Sequence, residues 1–117
     1  MATTTIYHNP RCSKSRQTLS LLEEAGIEPE IVLYLETPPD RATLVTLIER
    51  LGISPRELLR KGEQEYKDMG LGDKSLSDDA LIDAMLKAPK LIERPIVVKD
   101  DKAVLGRPPE NVNALIG

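Results

Sequence analysis

The chain has 117 residues, 40% of them hydrophobic, and its 16 Lys and Arg against 19 Asp and Glu give a net charge of -3. That is the length of one domain, which at this size buries about two thirds of its unfolded surface and folds without disulfides or metals. The slight acidity argues against general nucleic-acid or membrane-surface binding, and no run approaches the ~18 consecutive apolar residues of a membrane span. Aromatic residues are limited to three Tyr, with no Phe or Trp, so the core falls to Leu, Ile and Val.

Thr3 to Tyr7 is β-branched and aromatic and reads as a strand. The Asn9-Pro10 turn dipeptide breaks it. Leu19, Leu22 and Ala25 then recur at helical spacing from Ser13 to Ala25, with Gly26 placed to end the helix. "EIVLYL", Glu30 to Leu35, reads as a second strand, largely buried. Asp40 can cap a helix whose Leu44, Leu47, Ile48 and Leu51 form an i, i+3, i+4, i+7 stripe ending at Gly52. Ser54, Pro55 and Glu57 have the spacing of an N-cap, a first-turn proline and a capping box, and Arg60 falls at or near the end of that short helix. "KGEQEYKDMGLGDKS" reads as a loop with a helical turn. Ser77 can cap a helix from Asp78 to Lys87 with Leu81, Ile82, Met85 and Leu86 inward, stopped by Pro89. "PIVVK" and "AVLG" read as a hairpin turning at "DD" or "DDK", and "RPPENVNALIG" starts a last helix.

A strand, a helix and a strand followed by helices and a hairpin predict an α/β fold. Its sheet is mixed and four-stranded, with helices on its faces, in a single domain over 1–117. The opening "MATTTIYHNP" lacks the basic and apolar regions of a secretory signal. One Cys cannot form an internal disulfide, which points to a reducing, cytoplasmic compartment. One Cys with one His also makes a structural zinc site an unsuitable reading, so no metal is expected.

Cys12 carries the chemistry. If the strand–turn–helix reading holds, it lies at a helix N-terminus, where free N–H groups and the helix dipole favour a thiolate. Arg11, Lys14 and Arg16 add cations nearby in sequence, and His8, four residues upstream, can help stabilise the anion or serve as a structural hydrogen-bonder. The same N–H groups suit an oxyanion. The alternative, a buried small hydrophobe, fits poorly with the polar, basic flanks "PRCSKSR". Ser15 stands where a dithiol motif would carry its second cysteine. Redox chemistry then needs a thiol from outside, and a mixed disulfide that a further thiol breaks.

Together "TIYHNPRCSKSRQTL", "EIVLYLETPP", "LGISPRELLRKGE", "LIERPIVV" and "LGRPPE" resemble the glutathione- and glutaredoxin-dependent arsenate reductases, most closely their short arsenate-reductase-like branch. The resemblance implies a thioredoxin/glutaredoxin-like fold with a helical insertion between the second and third strands. It implies Cys12 as nucleophile with His8 upstream, Arg60, Arg94 and Arg107 as binders of the oxyanion, and a cis peptide before Pro95. It further implies arsenate as substrate, glutathione as co-substrate and glutaredoxin as the partner that resolves the disulfide, with no bound prosthetic group. Taken singly, each of the three arginines also reads as a solvated surface residue. Two other functions are compatible with one reactive thiol: glutathione-dependent reduction of another substrate, or redox regulation through a protein partner. Regulators of this fold that bind RNA polymerase use two cysteines, which Ser15 argues against.

Overall fold

β1 (Thr4–His8) turns Thr4, Ile6 and His8 inward and leaves the residues between them half-buried, the alternation expected of a strand. In this computed structural model residues 4–116 are described, with the side chain of Ile116 excepted, so Thr3 of the expected strand and Gly117 of the expected last helix lie outside the described residues. The described residues form two compact units. One is built from the segments up to Thr37 and from Arg94 onward, and the other from Pro38–Glu93.

The first unit holds the sheet. After β1 come α1 (Ser13–Glu24), β2 (Glu30–Leu33), and, from the far end of the chain, β3 (Ile96–Lys99) and β4 (Lys102–Leu105). The strand order is β2-β1-β3-β4. β1 pairs in parallel with β2, Ile6 opposite Ile31, and antiparallel with β3, Ile6 opposite Val97. β4 returns antiparallel beside β3 after a tight turn in which Asp100 takes a positive φ of 58°. The mixed four-stranded α/β sheet expected from the sequence is therefore present. Ile6 and Val97 from the strands meet Leu22 of α1 and Val112 and Leu115 of the C-terminal segment in one aliphatic cluster. That segment is a 3-10 turn (Pro109–Val112) running into α2 (Asn113–Ile116), shorter than the single helix the prolines suggested.

The sequence misread β2. Its hydrophobic run reads as buried, but the strand ends at Leu33 and lies at the sheet edge, paired only with β1, so Ile31 remains 48% exposed. Leu35, in the turn that follows, is 40% exposed.

The second unit is the helical insertion. α3 (Arg41–Leu51) starts where the Thr43 N–H donates to Asp40 at 2.8 Å and stops at Gly52, whose φ of 70° suits glycine. α4 (Pro55–Leu58) has the full capping box, with Ser54 and Glu57 each accepting the other's N–H at 3.3 Å. The helical turn in the polar stretch is α5 (Gln64–Asp68). α6 (Asp78–Lys87) is capped by Ser77 and buries Leu81, Ile82, Ala84 and Met85. Backbone bonds tie the end of α4 to the segment before β3: the Arg60 N–H donates to Leu91 and the Glu93 N–H to Leu58, both at 2.8 Å. Arg60 thus sits just past the helix, on a strapped and well-defined piece of backbone.

Candidate active site

Asn9 builds the turn that delivers Cys12. Its carbonyl accepts the Cys12 N–H and its side chain accepts the Arg11 N–H, both at 3.0 Å. This is the Asn chemistry that makes Asn-Pro a turn signal. Arg16 reaches back and donates to the Pro10 carbonyl at 2.8 Å. Cys12, in extended conformation, is the N-cap of α1, and its carbonyl accepts the first helical bond from Arg16. The first turn contains no acidic residue to counter the positive helix end.

The partly buried thiol is influenced most by burial, which pushes its pKa up, but the opposing groups together outweigh it. The Ser15 N–H, the Arg94 guanidinium by hydrogen bond and charge, and the Lys14 N–H stabilise the thiolate and bring the pKa below the ordinary thiol value. Arg107 Nη1 lies 3.9 Å from the sulfur. The first unit therefore brings Cys12, Arg94 and Arg107 together. The neighbouring cations that the sequence emphasised are not the charges that lower the thiol pKa. Arg16 holds the Pro10 carbonyl, and it is Arg94, far along the chain, whose charge lowers the thiol pKa.

Arg94 and Arg107 each precede a cis proline: the Arg94–Pro95 peptide is cis, as the resemblance implies, and so is the Arg107–Pro108 peptide, which the sequence reading missed. The two segments are joined where the Gly106 N–H donates to the Pro95 carbonyl at 2.9 Å, one step beyond the β3–β4 ladder. Gly106 is also pressed against α1: the hydroxyl of wholly buried Thr18 donates to the Lys14 carbonyl at 2.9 Å, and its oxygen lies 3.3 Å from the Gly106 carbonyl. A Cβ at Gly106 would collide with Thr18 Oγ1 and sit 2.8 Å from Pro95 Cγ. Gly106 and Thr18 thus fix the backbone next to Arg107 against α1. No local signal marks a pair 88 residues apart. Gly106→Ala is expected to cost about 1–3 kcal/mol through overpacking, read as a lower urea midpoint; an unchanged midpoint would show that the contact relaxes freely.

His8 and Ser15 form a second pair. Ser15 is wholly buried, its hydroxyl oxygen accepting from the Asn9 N–H at 3.0 Å and lying 2.6 Å from His8 Nδ1. With that oxygen already an acceptor, the arrangement that uses the hydroxyl proton has Ser15 donating to a neutral His8. Burial first, and the Arg16 charge second, lower the His8 pKa and favour the same neutral form. Ser15 therefore ties the end of β1 to α1, and His8 meets Ser15 rather than the sulfur. A histidine with a depressed folded pKa binds protons less readily than in the unfolded chain. Stability is then complete above about pH 6.5 and falls as the pH drops toward the folded value. His8→Gln is expected to flatten that acid slope, measured as the difference in urea midpoint between pH 7 and pH 5; an undiminished slope would assign it to other groups.

Arg60 belongs to the second unit. Its Nη1 is 2.9 Å from Glu93 Oε1 and its Nε 3.3 Å from Glu63 Oε1, so two carboxylates share its charge. Among the described residues no cluster of His, Cys, Asp and Glu could hold a metal ion, and no helix is long and apolar enough to cross a membrane.

The ArsC family model matches residues 7–115. The uncharacterised protein YfgD of Escherichia coli K12 is 62% identical over 96% of this chain and 95% of its own length. An arsenate reductase of Neisseria meningitidis serogroup B is 50% identical over 95% of this chain and 96% of its own. Among solved structures, an arsenate reductase from Vibrio cholerae superposes with a TM-score of 0.93 at 53% identity, covering 96% of each chain. Likeness of this degree along nearly the whole length, in sequence and in backbone, makes this thioredoxin-like chain a member of the ArsC family.

Proposed function

We propose that the protein reduces arsenate to arsenite with glutathione as co-substrate, through a Cys12 thiolate. The observation that carries this reading is the convergence of Arg94 and Arg107 on one partly buried thiol at the N-cap position of α1. A thiolate and an arsenate repel one another, and fixed guanidinium groups beside the sulfur offset that repulsion where negative charge meets. Arg60 is a third anion-binding residue in this reading, on the strength of the resemblance.

The Cys12 sulfur attacks arsenic, an S–As bond forms, and a protonated oxygen leaves as water or hydroxide. Arsenic is still pentavalent. The glutathione thiolate then attacks the Cys12 sulfur. The new S–S bond forms as the S–As bond breaks, and that electron pair leaves with arsenic as trivalent arsenite. Glutaredoxin attacks the glutathione sulfur of the mixed disulfide and releases the Cys12 thiolate. The cycle needs no bound prosthetic group. It draws on a reduced thiol pool, as in the cytoplasm.

Arsenite production from arsenate, glutathione and glutaredoxin tests the reading. Steady turnover is expected. Ready glutathionylation of Cys12 with no arsenite would leave a thiol reductase of another substrate.

A further inference from the structure

The Cys12 loop has two sides. Arg94 and Arg107 approach from the β3–β4 side of the sheet. On the opposite, β2 side, a cavity of about 310 Å³ opens between the loop after β1 and the turn after β2. His8, Asn9, Pro10 and Arg11 form one wall, and Leu33, Leu35 and Glu36 the other. It lies outside the carboxyl ends of two parallel strands, where open α/β sheets place ligands, and its volume is at the lower end of the small-molecule range.

Its charges are arranged in a particular way. Neither the Arg11 guanidinium nor the Glu36 carboxylate has a hydrogen-bond or ion-pair partner among the described residues. One exposed cation and one exposed anion thus line the same apolar cavity, each without such a partner. The turn that carries Glu36 is well defined, since the Glu36 and Thr37 N–H groups both donate to the Leu33 carbonyl, at 2.9 and 2.8 Å. Exposed charges of opposite sign over leucine and proline suit a zwitterion with an aliphatic body, as in the α-amino acid end of a small peptide: its carboxylate for Arg11, its ammonium for Glu36.

We propose that this groove binds the α-amino acid end of a small peptide thiol and so presents that thiol to Cys12 from the side away from Arg94 and Arg107. Recognition of the zwitterion stands on the groove alone. That the ligand carries the reducing thiol rests on the function proposed above. The arrangement separates two needs: the anion is held on one side, and the incoming thiol reaches the sulfur from the other, so neither has to leave before the next step.

S-methylglutathione, which cannot react with Cys12, is the probe. Amide shift changes on titration are expected at Asn9, Leu33, Leu35 and Glu36, and Arg11→Gln and Glu36→Gln should each weaken binding about fivefold. Phosphate should still perturb Arg107 equally in both variants. Absent binding, shifts confined to Arg94 and Arg107, or affinity unchanged in both variants would overturn the proposal. The two readings fail separately. Groove binding without arsenite formation removes only the arsenate reaction. Turnover with glutathione whose KM for glutathione is indifferent to both substitutions removes only the groove.

Discussion

Cys12→Ser is expected to reduce arsenite formation to the uncatalysed background while leaving the unfolding free energy from urea titration within about 0.5 kcal/mol of the parent. The substitution changes one atom at the N-cap of α1, a position where serine is itself a favoured residue, so the fold tolerates it. The chemistry does not. A serine hydroxyl titrates far above a thiol and is not ionised near neutrality by two guanidinium groups and two helix N–H groups. Even if an oxygen ester to arsenic formed, no sulfur would be available for glutathione to attack, and the electron pair would have no route to arsenic. Retained turnover in the variant would mean that the reducing thiol acts on arsenic directly, without covalent help from the protein.

Arg94→Ala is expected to lower kcat/KM for arsenate by about 10²–10³. Arg94 both bonds and charges the thiolate, so its removal acts before substrate arrives. The sign follows directly. Losing a cation that stabilises the thiolate raises the Cys12 pKa, and the pH midpoint of Cys12 alkylation should move up in Arg94→Ala. Arg107, exposed and 3.9 Å from the sulfur, should give a smaller shift in that midpoint. A drop in kcat/KM with an unmoved alkylation midpoint would confine Arg94 to anion binding. Arg94→Lys restores the charge without the planar fork and should recover the midpoint better than it recovers kcat/KM.

The parts of this molecule that depend on neighbours in sequence could be read from sequence. Asp40, Ser54 and Ser77 cap the helices that their spacing announces, because capping is decided within three residues. Cys12 at the head of α1 follows from a strand, an Asn-Pro turn and a helical stripe in succession. The readings that failed depend on distant segments. β2 looked buried because its hydrophobic run cannot reveal that the sheet ends there. The importance of Gly106 and Thr18 comes from a contact between the two ends of the chain. The local cations Arg11, Lys14 and Arg16 looked like the thiol's partners because they are close in number, whereas Arg94 reaches it through the fold. The candidate roles of Arg94 and Arg107 could be named only through resemblance; a lone arginine before a proline carries no mark of its use.

Ser15 illustrates both kinds of reading. Its identity excludes an internal dithiol cycle. Its burial and its bonds to His8 and the Asn9 N–H show that the position is also structural, joining β1 to α1 close to Cys12.

The central claim is that Cys12 couples arsenate reduction to a borrowed thiol. A single turnover with arsenate and glutathione, without glutaredoxin, addresses it most directly, with arsenite quantified and Cys12 examined by mass spectrometry. The account predicts one arsenite per protein molecule and one glutathione disulfide on Cys12, appearing together and both absent in Cys12→Ser. Arsenite released with Cys12 left as a free thiol, or the disulfide formed with no arsenite, would contradict it.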